Sequence, residues 1–105
     1  MLIHYSNQDN LKNLIETNNL LVVDFYADWC GPCRRLGPII EELAEEYKDV
    51  TFVKINVDNF AQEAAMFSVS SIPSVFYFKD GKVVNNTIGL LPHDSLKEKI
   101  EALRK

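Results

Sequence analysis

The part of this chain that most limits its fold runs from residue 20 to residue 47, where a strand-type pattern passes directly into a helix-type one. Leu20 to Ala27 is almost continuously apolar and contains Val22, Val23, Phe25 and Tyr26, as a strand buried on both faces requires. From Cys30 to Tyr47, the residues Leu36, Ile39, Ile40, Leu43, Ala44 and Tyr47 recur at helical spacing and predict an amphipathic helix. Pro38 falls inside it and is expected to kink it, because proline lacks an N–H and crowds the preceding turn.

The remaining segments extend this alternation. Ser6 and Asp9 have capping-box spacing ahead of Leu11, Leu14 and Ile15, which predicts a first helix. Thr51 to Val57 is strand-like, and Ala61, Ala64, Ala65 and Phe67 return to a helical pattern over Asn59 to Phe67. Ser74 to Lys79 and Lys82 to Ile88 flank Asp80-Gly81, a strong hairpin signal, and are expected to pair antiparallel. Pro92 precedes a last helix through Leu96, Ile100 and Leu103, where Glu101 and Lys105 can pair at four-residue spacing. The expected architecture is a mixed sheet covered on both faces.

With 105 residues and neither repeats nor linkers, the chain is expected to form one domain, residues 1–105. Its net charge of -4 opposes attraction to phosphate backbones or acidic membrane surfaces, so neither nucleic acid nor membrane is an expected partner. No apolar stretch approaches the roughly 20 residues of a membrane-spanning helix. The N-terminal Met-Leu-Ile-His-Tyr-Ser has no export or transit character, and two cysteines are too few for a stapled secreted domain. A reducing, cytoplasmic location is the expectation.

Those two cysteines stand in Trp29-Cys30-Gly31-Pro32-Cys33, between a buried strand and a long helix. A helix N-terminus gathers unpaired N–H groups and partial positive charge, which favour a thiolate over a thiol, so Cys30 is the expected nucleophile. Cys33 lies one turn further, on about the same side, and is the expected resolving thiol. Pro32 suits a first helical turn, and Gly31 permits close approach. Arg34 and Arg35 precede Glu41, Glu42, Glu45 and Glu46, the reverse of what the helix dipole favours. That order either strengthens the field beside Cys30 or reflects solvated side chains. Zinc is a rival reading, but its further ligands would have to be His4 and His93, which lack the usual spacing. A purely structural disulfide is another, weak because so short a loop restrains little of the unfolded chain.

Asp24 interrupts the most apolar segment. A carboxylate is costly to bury there and its pKa is expected to rise, which marks a candidate functional group able to take the proton of Cys33. Lys54, on a neighbouring strand, could reach it. The competing reading is a carboxylate escaping at a sheet edge. Trp29 offers an apolar contact surface beside the cysteines, and Pro73 precedes a strand without its residues supporting either peptide isomer.

Val23-Asp24-Phe25, Trp29-Cys30-Gly31-Pro32-Cys33, Pro38, Ile72-Pro73 and Lys79-Asp80-Gly81-Lys82 together resemble the thioredoxin family from end to end. The resemblance implies an α/β thioredoxin fold, a central mixed sheet of about five strands flanked by four helices. It implies a cis Pro73 packed against the disulfide, and a shallow substrate groove of Trp29, Gly31, Pro32, Ile72, Pro73 and Gly89. Asp24 is implied to be the buried proton acceptor and Lys54 its modulator. Tyr26, Ser71 and Ser74 depart from the usual Trp, Gly and Thr, which bears on substrate preference.

The expected activity is reduction of disulfides in target proteins by a reversible Cys30–Cys33 dithiol, with no bound cofactor and no metal. A thioredoxin reductase, dependent on NADPH or ferredoxin, would restore the dithiol, and the chain is expected to be a monomer. The rival functions are a disulfide oxidase or isomerase of the same fold, which a reduction potential distinguishes, and a non-catalytic binding module that uses the groove for docking.

Overall fold

A computed structural model describes all 105 residues. In chain order the elements are β1 (Leu2–His4), α1 (Leu11–Thr17), β2 (Leu20–Tyr26), α2 (Gly31–Glu46), β3 (Thr51–Asn56), α3 (Ala61–Met66), β4 (Ser74–Lys79), β5 (Lys82–Ile88) and α4 (His93–Leu103). They form a five-stranded mixed sheet in the order β1-β3-β2-β4-β5. Strands β1, β3 and β2 run parallel, while β4 is antiparallel to both β2 and β5. The connection from β2 through α2 to β3 is the long crossover that parallel neighbours require.

Strand periodicity assigns the two layers. Leu21, Val23 and Phe25 of β2 point into a cluster with Val53, Ile55, Phe76 and Phe78, covered by Leu11 of α1 and Ala64 of α3. Val22 points the other way, joining Phe52, Val75 and Tyr77 under Leu36, Ile40 and Leu43 of α2 and Leu96, Ile100 and Leu103 of α4. Each of these large side chains, once fully buried, contributes roughly 1.5–3 kcal/mol. A smaller cluster of Ala27, Cys30 and Cys33 sits where β2 hands over to α2.

Several local expectations are corrected. β1 has no counterpart in the sequence reading. Ser6 and Asp9 do bond, with Asp9 Oδ2 accepting from the Ser6 N–H at 2.8 Å, but they close an isolated turn ahead of the helix. The cap is Asn10, whose Oδ1 accepts from the Asn13 N–H at 2.9 Å. Glu101 pairs with Arg104 rather than with Lys105, and accepts from the Tyr47 hydroxyl at 2.6 Å. Pro38 does fall inside helix α2, as its spacing predicted, on the exposed side. The Asp80-Gly81 turn has positive φ at both positions, +51° and +82°, as a type I′ hairpin needs. The β4–β5 ladder also carries a register shift at Tyr77/Phe78 that no sequence signal announced.

Candidate functional site

Cys30 is the N-cap of α2, in extended conformation, with Gly31 and Pro32 in the first helical turn. The two cysteines form a disulfide with Cα atoms 5.2 Å apart. Cys30 Sγ accepts the Cys33 N–H at 3.2 Å, so one otherwise unpaired donor of the helix start points at this sulfur. Burial does not separate the two, at 5% and 4% exposed. Surroundings do. Cys30 Sγ lies 3.9 Å from the Ile72 carbonyl oxygen, whereas Cys33 faces a cleft of about 370 Å³ shared with Tyr26, Gly37, Pro38, Glu41 and Lys54.

The Ile72–Pro73 peptide bond is cis, as the family resemblance implies and the residues themselves did not. Pro73 is buried, and its carbonyl accepts the Gly89 N–H at 2.8 Å. Gly89 has φ +90°, a conformation L side chains rarely adopt. Trp29 is 68% exposed, and its indole N–H donates to Asp58 Oδ2 at 2.9 Å. Trp29 and Ile72 share a shallow depression with Val57, Ala64, Val69 and Ser70. The expected groove residues therefore gather around the disulfide from three separate segments.

Asp24 is 2% exposed and sits on the central strand of the sheet, which disposes of the sheet-edge alternative. In register it faces Lys54 of β3 and Val75 of β4, on the sheet face covered by α2 and α4. Its Oδ1 is buried without a hydrogen-bond partner. Burial pushes the carboxyl up to about 7, against the opposing pull of the Lys54 charge. Lys54 Nζ lies 4.7 Å from the centroid of the Tyr26 ring. A side chain on Gly37 would reach this ammonium at 3.5 Å, so that helix-interior glycine leaves space beside it.

Three residues of the zinc alternative stand in other contacts. His93 Nε2 lies 2.6 Å from Glu46 Oε2 and Nδ1 lies 2.9 Å from Asp94 Oδ1, while the cysteines are bonded to each other. Sequence reasoning missed Asp58 as the Trp29 anchor, and Asp28, whose carbonyl accepts from Arg34 Nη1 at 3.0 Å. Asp28 stands beside the motif, six residues from Arg34, and is engaged through its backbone, whereas the Trp29–Asp58 pairing joins residues 29 apart and has no local signal.

A capped helix start that carries a reversible cysteine pair on a five-stranded α/β scaffold defines a thiol–disulfide oxidoreductase. The comparisons narrow the class. The family described as Thioredoxin matches residues 2–102. The chain is 48% identical over 95 residues to a thioredoxin of Mycoplasmoides gallisepticum, covering 90% of this chain and 95% of that one. It is 42% identical to a Chlamydia trachomatis thioredoxin over 95 residues, covering 90% and 92%. Among solved structures, it superposes on a single-site mutant of thioredoxin from Halobacterium salinarum with TM-score 0.90 and 36% identity, covering 99% and 91%. For oxidised mitochondrial thioredoxin 3 of Saccharomyces cerevisiae the TM-score is 0.88 at 36% identity, covering 97% and 95%.

This chain belongs to the thioredoxin family. Its activity is protein-disulfide reduction by a redox-active cysteine pair, which brings with it disulfide-containing targets and a reductase partner. No helix is long and apolar enough to cross a membrane.

Proposed function

We propose that residues 1–105 act as one domain in which Cys30 attacks and Cys33 resolves. The Cys30 thiolate bonds to one sulfur of a target disulfide, and the other target sulfur leaves as a thiolate that takes a proton from water. Asp24 then accepts the Cys33 proton, and the Cys33 thiolate bonds to Cys30. The second target sulfur departs with the electron pair and is protonated. The target gains two electrons and two protons, and the pair is left as a disulfide. The observation that carries this division is the 3.2 Å hydrogen bond from the Cys33 N–H to Cys30 Sγ, since it would stabilise negative charge on Cys30 alone.

The role of Asp24 is supported by its burial and by a carboxyl raised to about 7, a value at which one group can both take and return a proton near neutrality. Lys54 modulates it through charge. Trp29, Gly31, Pro32, Ile72, Pro73 and Gly89 receive the target segment. The protein works as a cytoplasmic monomer without a bound cofactor, re-reduced by a thioredoxin reductase that draws on NADPH or ferredoxin.

The test is reduction of insulin disulfides, followed by turbidity, with NADPH-dependent and ferredoxin-dependent reductases supplied separately. Turnover is expected with at least one of them and none for Cys30→Ser. Absence of turnover with both reductases and with dithiothreitol would reject the assignment.

A further inference from the structure

Three arginines occur in the chain, and two are committed. Arg34 donates to the Asp28 carbonyl at 3.0 Å, and Arg104 pairs with Asp49 at 3.0 Å and with Glu101 at 3.5 Å. Arg35 has neither hydrogen bond nor ion pair. Its helical neighbours at pairing distance are Gly31, Pro32, Pro38 and Ile39, although α2 carries four glutamates further along. In a chain of net charge -4, this exposed guanidinium is left without a carboxylate of its own.

Arg35 is also the rim of an apolar cleft. Together with Ile39 of α2 and Leu90, Leu91 and Pro92 of the segment before α4, it lines an open depression of about 360 Å³. That lies within the roughly 300–1,000 Å³ of ligand-binding clefts. Both walls lead back to the disulfide. Arg35 and Ile39 lie on the helix whose N-cap is Cys30. Leu90 follows Gly89, whose N–H is held by the Pro73 carbonyl, next to the Ile72 carbonyl that touches Cys30 Sγ.

We infer that this cleft is a second recognition subsite for the target protein. It takes an apolar side chain from the segment flanking the target's disulfide, and Arg35 pairs with a carboxylate beside that side chain. The inference rests on the reading above, in which the target is seated at Cys30, and adds a preference for apolar–acidic flanks over neutral or basic ones. A partly exposed ion pair is worth up to about five-fold in kcat/KM, and salt screens it.

The test uses fluorogenic disulfide peptides of one sequence. A Leu-Glu, Leu-Gln, Leu-Lys or Ser-Gln step is walked one position at a time away from the reactive cysteine. Wild type, Arg35→Gln and Arg35→Glu are compared by the ranking of kcat/KM within each protein. At one register wild type is expected to favour Leu-Glu over Leu-Lys by up to about five-fold, with the preference shrinking as salt rises. The charge ranking should vanish in Arg35→Gln and reverse in Arg35→Glu. Leu-Gln should exceed Ser-Gln in all three. An identical ranking in the three proteins, or no ranking at any register, overturns the subsite. So does a dimer in sedimentation that Arg35→Glu dissolves, because the cleft then belongs to a second copy. Turnover of Ser-Gln by wild type reports exchange chemistry alone. Unranked reduction of every peptide therefore refutes the subsite and spares the reductase reading, whereas reduction of none refutes that reading.

Discussion

Replacing Asp24 by asparagine separates what this residue does for the fold from what it does for the chemistry. The carboxyl titrates at 3.8 when free and at about 7 in the folded protein, because burial penalises its charge more than Lys54 relieves it. Between those values the folded state holds a proton that the unfolded chain has released. Stability therefore falls as pH rises from about 4 to about 7 and is level above that. At 1.36 kcal/mol per pH unit, a separation of about 3 units amounts to about 4 kcal/mol lost across the window. The asparagine side chain cannot ionise and escapes that loss. Its amide brings two N–H donors where the protonated carboxyl has one O–H, beside an Oδ1 position that offers no hydrogen-bond partner, which costs about 1–3 kcal/mol relative to wild type at every pH. The two stability curves should consequently cross, with wild type ahead near pH 4 and Asp24→Asn ahead near pH 8. Urea unfolding of the oxidised proteins at one-unit pH steps measures this, and groups common to both cancel in the difference. A wild-type minus variant difference that stays constant from pH 4 to pH 8 refutes the argument. In the same variant, release of the target from its mixed disulfide near pH 7 should slow by about ten-fold or more.

Lys54→Met removes the charge that lowers the Asp24 pKa, so the pH dependence of target release should move to higher pH, which a pH–rate profile reads directly. Gly89→Ala places a side chain at φ +90° and should cost about 1–3 kcal/mol in urea unfolding. His93 is raised above its ordinary value by its hydrogen bonds to Asp94 and Glu46. The resulting stabilisation is complete below pH 6.5 and is lost as pH rises through the folded value. His93→Gln should therefore lose more stability at pH 5 than at pH 9, and a titration of the ring by NMR should give a midpoint above 6.5.

What the sequence disclosed followed from periodicity and local chemistry. The Leu20 to Ala27 run read as an interior strand, observed over Leu20–Tyr26, and α2 announced itself through its apolar stripe and the Gly-Pro pair in its first turn. Asp24 was conspicuous because a carboxylate in such a run has to be explained. Three residues of β1 are too few to show a period, and that strand exists because β3 offers it an edge. Ser6 and Asp9 matched a capping pattern, yet Asn10 lies next to the first helical residue and took the cap. The cis bond at Pro73 came from family resemblance, where residue preferences were silent. The Trp29–Asp58 and Glu101–Tyr47 contacts join residues 29 and 54 positions apart, beyond the reach of any local rule.

The division of labour between the cysteines is tested most directly by intact-mass measurement of Cys30→Ser and Cys33→Ser incubated with an oxidised target. Cys33→Ser should accumulate a mixed disulfide through Cys30 that persists until an external thiol is added. Cys30→Ser should capture little. Capture through Cys33 as fast as through Cys30 would contradict the account, because the helix-start hydrogen bond to Cys30 Sγ would then confer no preference.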